Sequence, residues 1–317
     1  MSILYCLVGL PGSGKSTAAK EMQKAGIIWH SSDAIRQELF GDSTDQSNNE
    51  AVFLALNKRV KADLLDGHDV AYDATNISAK RRGALLNHLA KAATRKVAVV
   101  MATPYEQVLI NNQNREHPVP KVAIQKMYRS FWVPQYFEGW DEIHFEYQAN
   151  VPEEITKLYS MEESFFQQLE AFEQDNIHHG LSLGAHMRET LANVIKVTGI
   201  SQERLNLITA AGMHDVGKAK TKAFFNRDGE AVESATYYGH DNVSAYDMMC
   251  FAYYGMRETN VNNVLEMIFY VQYHMRPFFM KELSTRNKFK QKVGNAWYED
   301  IYILHEADKL AKQKEGS

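Results

Sequence analysis

Nine residues, GLPGSGKST at positions 9–17, constrain this chain more than any other stretch. They fit the pattern G-x-x-x-x-G-K-[ST]. Such a loop works only where a strand enters it and a helix leaves it. The glycines then let successive backbone N–H groups turn toward one anion at the positive end of the helix. Both neighbours are present: the apolar run ILYCLV (3–8) precedes the loop and a helical pattern over 15–25 follows. The spacing predicts Gly9, Gly12, Ser13, Gly14, Lys15, Ser16 and Thr17 as a phosphate cradle. Lys15 would reach the β/γ oxygens and Ser16 would hold Mg²⁺.

The rest of the first half repeats the strand–helix alternation. Apolar runs at 27–29, 69–74, 95–102 and 142–147 read as strands, and 48–66, 78–92 and 120–131 read as helices. That order predicts an α/β domain over residues 1–150, a parallel sheet flanked by helices. After QANVPEEI (148–155) the character changes. Residues 161–315 read mostly as helices, with Gly180, Gly199, Gly239 and Gly255 near the breaks, and Asp228-Gly229 in AFFNRDGEAV marks a hairpin turn. The chain of 317 residues suits two domains, 1–150 and a mainly helical 151–317.

Composition narrows the class. Residues 1–150 carry 17 Lys/Arg and 16 Asp/Glu, and the remainder 18 and 23, which rules out the basic excess of a duplex-DNA binder. A nucleic-acid substrate would be held by its end. The two cysteines, Cys6 and Cys250, imply no disulfide framework and fit a reducing cytosol. The first apolar run has no basic leader and stops at Pro11-Gly12, and no run is long enough to span a bilayer, so a cytoplasmic protein without a membrane partner is expected.

Chemistry-bearing residues follow each strand. In HSSDAIRQELFG (30–41), Asp33 stands at a strand end, where it would accept a proton from an attacking hydroxyl, and Arg36 would clamp a phosphate. The plainer reading makes Asp33 a helix N-cap. Asp73 in AYDATNISAKRR (71–82) would sit beside Mg²⁺, and Arg81 and Arg82 read as a solvated helix face.

Together these pieces resemble the P-loop kinases that include the 5′-polynucleotide kinases, over most of residues 1–147. The resemblance implies ATP as donor, Asp33 as general base on a 5′-hydroxyl and Arg36 on the neighbouring phosphate. In that family's arginine lid, Arg115 of NNQNREHPVP (111–120) matches the second arginine, but the first falls on Asn111; Arg129 is a candidate for the missing charge. The same fold serves kinases of small molecules, so the acceptor stays open.

The second half holds seven of the twelve histidines, which directs attention to metal. In MHDVGK (213–218) His214 and Asp215 are adjacent and would point about 100° apart on a helix, so they share an ion only at a helix end or kink. Gly212 and Gly217 suit a distorted turn there. Partners are His186, His240, His274 and Asp308, each inside an apolar helical pattern. Imidazole and carboxylate suit Mn, Fe, Ni, Co or Zn. The order resembles the HD-domain metallo-phosphohydrolases, over about 178–315, and its local wording is similar to the HD domain of bacterial CCA-adding tRNA nucleotidyltransferases. The resemblance implies one or two metal ions, with Asp215 as the bridge between two. Lys218 would bind a substrate oxygen or lie on the surface. His178 and His179 are candidates for touching substrate, though the plainer reading has one capping or packing and the other exposed, and His305 is a candidate for hydrogen-bonding a ligand.

A P-loop kinase domain followed by an all-α HD domain suggests an enzyme that treats two ends of one substrate. It would phosphorylate 5′-hydroxyls and hydrolyse 2′,3′-cyclic or 3′-phosphates, with RNA or DNA ends as substrate and a ligase as a candidate partner. The alternatives are a nucleoside or nucleotide kinase fused to an HD nucleotidase or phosphodiesterase, and a nucleotide sensor without turnover.

Overall fold

The computed structural model describes residues 2–176 and 180–312, and the chain divides into two compact units. One comprises Met1–Met127 with Val133–Val151; the other comprises Tyr128–Trp132 with Pro152–Ser317. The second unit therefore takes in a short stretch from within the first 150 residues. The reason is aromatic packing: Tyr128 and Phe131 each stand edge-on to Tyr246, with ring centroids 5.0 Å apart.

The first unit runs β1 (Ile3–Val8), α1 (Lys15–Lys24), β2 (Ile28–Ser31), α2 (Ser32–Phe40), α3 (Asn49–Leu65), β3 (Val70–Asp73), α4 (Ala79–Leu89), β4 (Arg95–Met101), α5 (Tyr105–Gln113), the start of α6 (Lys121–Arg129) and β5 (Glu142–Glu146). The strands form one parallel sheet in the order β2-β3-β1-β4-β5. Central β1 is covered on both faces, hence its unbroken apolar run: Leu4, Cys6, Leu7 and Val8 are all fully buried. Edge strand β5 is charged and only partly buried. α3 buries Val52, Leu56, Val60 and Leu64, one residue per turn, and Asn48 caps its start. Each fully buried side chain of this size stabilises the fold by roughly 1.5–3 kcal/mol. Register sets Leu7, Ser31 and Asp73 level with one another, so the segments that follow β1, β2 and β3 open at one end of the sheet.

The second unit continues with α7 (Glu153–Thr156), α8 (Glu163–Glu170), α9 (Leu183–Thr198), α10 (Leu205–Met213), α11 (Lys218–Thr221), β6 (Ala223–Phe225), β7 (Ala231–Thr236), α12 (His240–Cys250), α13 (Val261–Tyr273), α14 (Arg276–Phe279), α15 (Leu283–Val293) and α16 (Asn295–Ala311). It is helical apart from the β6–β7 hairpin, which turns at Asp228-Gly229. Among the described residues no helix is long and apolar enough to cross a membrane.

Arg82 corrects the solvated-face reading of α4. Arg81 is exposed, but Arg82 is 1% exposed and makes a two-pronged pair with Glu138, Nε to Oε2 at 2.8 Å and a terminal nitrogen to Oε1 at 2.7 Å. Its other terminal nitrogen donates to the Asn76 carbonyl at 2.8 Å, and Asn76 Nδ2 donates to Leu7 O at 2.7 Å. The pair thus braces the loop after Asp73. Glu138→Ala would leave a buried guanidinium without its counter-charge. Equilibrium denaturation should show a loss of about 3–5 kcal/mol, and Arg82→Met combined with Glu138→Met should recover much of it.

Candidate functional site

The glycine loop is shaped as its sequence requires. Gly12 and Gly14 take φ of +86° and +95°, and a Cβ on Gly12 would lie 2.6 Å from the Val108 carbonyl. Lys15 Nζ donates to the carbonyls of Gly9 at 3.0 Å and Leu10 at 2.9 Å. Burial pulls its ammonium down to about 8, with Asp73 opposing. Ser16 Oγ lies 3.4 Å from Asp73 Oδ2, which also accepts from Trp29 Nε1 at 3.3 Å. Burial raises the Asp73 carboxyl against the pull of Lys15. A hydroxyl beside a buried carboxylate suits Mg²⁺. Thr17 follows in the first turn of α1, its N–H bonded to Gly14 O at 3.0 Å.

Asp33 is not the cap of α2. Ser31 is, its side chain accepting from the N–H groups of Asp33 and Ala34, which leaves the Asp33 carboxylate for Arg36 at 2.8 Å and Arg115 at 4.0 Å. Arg36 is further fixed by Asn49 Oδ1 at 2.8 Å. The structure therefore groups Asp33, Arg36 and Arg115. Asn111 does different work from an arginine: its Nδ2 donates to Gly12 O at 2.9 Å and to Gln148 at 3.1 Å, and Thr103 Oγ1 similarly holds Ser13 O at 2.9 Å. Arg129 falls in the stretch grouped with the second unit, where its carbonyl accepts from Asn242 Nδ2 at 3.1 Å.

In the second unit the backbone breaks where the adjacent His–Asp pair needs it. α10 ends at Met213, His214 is its C-cap and α11 starts at Lys218. Of the two flanking glycines, Gly217 is the one demanded by contact: a Cβ there would lie 2.3 Å from the His240 carbonyl. The six ligand-type residues fall into two buried groups, His186–His214–Asp308 and Asp215–His240–His274, the candidate ligand atoms of each lying within 4.8 Å of one another. Asp215 faces both. Its Oδ2 is 3.4 Å from His186 Nε2 and 3.4 Å from His214 Nε2; its Oδ1 is 3.2 Å from His240 Nε2 and 3.6 Å from His274 Nε2.

Three rings are locked in one tautomer. His214, His240 and His274 each donate Nδ1–H to the carbonyl three residues back: Ala211 at 2.8 Å, Tyr237 at 2.8 Å and Val271 at 2.6 Å. With Nδ1 so occupied, each ring turns Nε2 toward the Asp215 carboxylate. His240 and His274 Nε2 are 3.3 Å apart. His214 Nε2, Asp215 Oδ1 and Asp308 Oδ1 are buried and make no hydrogen bond among the described residues. Buried acceptors facing one another call for a cation. Burial holds the His274 imidazole down at about 3. Burial also opposes charge on His214, but Asp215 and Asp308 outweigh it and hold that ring at about 9. Despite burial, Lys218 and His214 keep Asp215 well below the usual carboxylate range, and His186 and His214 do the same for Asp308.

Lys218 is no surface lysine: it is buried, its Nζ 2.7 Å from Asp215 Oδ2 and 2.9 Å from Gln174 Oε1, above the Tyr237 ring. Gln174 and Tyr237 were not legible as site residues, although an amide and a phenol in apolar surroundings are the signal. Asp308 is met by Lys312 Nζ at 3.0 Å rather than by His305, whose ring stands edge-on to Phe278. His178 and His179 lie outside the described residues.

A family model described as an AAA domain matches residues 4–134. Similar solved structures include a kinase-like protein of Chloroflexus aurantiacus (12% identity, 46% of this chain and 85% of that one, TM-score 0.40). A Janibacter sugar kinase (16%, 49% and 88%, 0.34) and a Sinorhizobium meliloti gluconokinase (17%, 48% and 86%, 0.34) are also similar. The first unit is a parallel-sheet α/β domain carrying a P-loop, whose glycine loop and Ser16–Asp73 pair suit ATP and Mg²⁺.

Lys15 gives a proton-linked expectation. The free ammonium titrates near 8, and a bound phosphate would keep it charged, so binding selects the protonated form. ATP affinity should be flat below about pH 7 and fall by up to about tenfold per pH unit above about 8, with proton uptake on binding at pH 9 in calorimetry. Affinity that stays level through pH 9 would mean that burial does not lower the Lys15 ammonium.

Proposed function

We propose that the chain is a bifunctional enzyme that heals broken RNA ends. Its first unit would phosphorylate a 5′-hydroxyl and its second would hydrolyse a 2′,3′-cyclic or 3′-phosphate. The observation that carries the second activity is Asp215, whose two oxygens face two separate histidine groups. The first is supported by the grouping of Asp33, Arg36 and Arg115 in a unit that also holds the glycine loop.

In the kinase reaction Lys15 and the N–H groups of residues 12–17 would neutralise the donor phosphates. Asp33 would take the proton of the 5′-hydroxyl as its oxygen bonds to the γ-phosphorus and the bond to ADP breaks. Arg36 and Arg115 would hold the acceptor and the transferring group. In the hydrolase, His186, His214 and Asp308 would hold one metal ion and Asp215, His240 and His274 a second. Metal there supplies Lewis-acid chemistry, acidifying water and neutralising phosphoryl charge. Lys218, fixed by Asp215 and Gln174, would bind a non-bridging oxygen of the substrate and hold it against water's attack. Gel assay of a short RNA with a 5′-hydroxyl and a 2′,3′-cyclic phosphate tests this, with ATP, Mg²⁺ and Mn²⁺ or Ni²⁺. Wild type should convert both ends, Lys15→Ala should lose only 5′ phosphorylation and Asp215→Ala only the 3′ reaction, each by about 10³-fold or more. RNA left unchanged while free nucleosides or nucleotides are consumed would replace this reading with the small-molecule one.

A further inference from the structure

The His240 imidazole, at the start of α12, is aimed by the Tyr237 carbonyl just before that helix, and the His274 imidazole by the Val271 carbonyl of α13, so the gap between their Nε2 atoms follows the placement of the two helices. Two buried amides link those helices. Asn242 lies two residues after His240 and Gln272 two residues before His274. Gln272 Nε2 donates to Asn242 Oδ1 at 2.8 Å and to the Phe131 carbonyl at 2.8 Å, and Asn242 Nδ2 donates to the Arg129 carbonyl at 3.1 Å. Residues 128–131 thus form a strap, held at its other end by the Tyr128 hydroxyl, which donates to Asp247 Oδ1 of α12 at 2.5 Å. An amide this deep in apolar helices is costly unless its donors are used, and both hydrogens of Gln272 are.

We propose that Asn242 and Gln272 are positioning residues for the Asp215–His240–His274 group, tying α12 and α13 to the carbonyls of residues 129 and 131 so that two imidazoles reach one ion. The proposal rests on that group's binding metal, as read above. Metal–nitrogen distances tolerate only about 0.2 Å of error, so a small shift of one helix is enough to lose the ion. The His186–His214–Asp308 group is carried by α9, α16 and the end of α10 instead of α12 and α13. It also follows that residues 151–317 alone lack part of this site.

Full-length wild type, Gln272→Leu and the milder Asn242→Ala would be loaded with Mn²⁺, desalted, and read by elemental analysis and electron paramagnetic resonance. Wild type should retain two ions with an exchange-coupled spectrum. The variants should keep one uncoupled ion, with affinity at the second position weakened by about tenfold or more. Kinase activity and far-ultraviolet dichroism should be unchanged. A coupled pair at wild-type affinity in Asn242→Ala would overturn the proposal, as would loss of both ions from that variant. Wild type without bound Mn²⁺ would overturn the metal reading beneath it, and the proposal with it.

Discussion

The second unit is organised around one buried cluster of imidazoles and carboxylates. Three imidazoles, each held through Nδ1, turn Nε2 toward two buried carboxylates, with Asp215 in the middle and one of its oxygens turned to each histidine group. Helices α9, α10, α12, α13 and α16 each supply part of that set, so their mutual packing and the convergence of acceptors are one problem. Lys218 and Lys312 offset some of the negative charge, one on each carboxylate. Among the described residues they leave Asp215 Oδ1 and Asp308 Oδ1 without a hydrogen bond. A cation of higher charge is what the remaining lone pairs fit.

The first unit solves the opposite problem, gathering donors around an anion. Gly12 and Gly14 give the loop its path, Asn111 and Thr103 pin its carbonyls outward, and a buried Lys15 stands on the loop itself. Asp33 is drawn between two arginines because Ser31 has taken the capping role at α2.

Most of the first unit was legible because its signals are local: a loop with fixed spacing, short apolar strands and helices of ordinary length. α5 was missed, since YEQVLINNQ carries little amphipathic contrast. The six ligand-type residues could be named from their polar chemistry in apolar surroundings, yet their division into two groups could not, because it depends on how five helices cross. Arg82 shows the limit clearly. On α4 it looks like the solvated Arg81 beside it, and only the return of the chain at Glu138 shows why it is buried. Asn242 and Gln272 are of the same kind: their partners are backbone carbonyls more than 100 residues away in sequence.

Anomalous diffraction from Mn²⁺-soaked crystals tests the central claim most directly. The account predicts two peaks, one on each side of the Asp215 carboxylate, the first among His186, His214 and Asp308 and the second between His240 and His274. A fully ordered cluster without a peak on either side, its acceptors reconciled by protons and Lys218 alone, would contradict it.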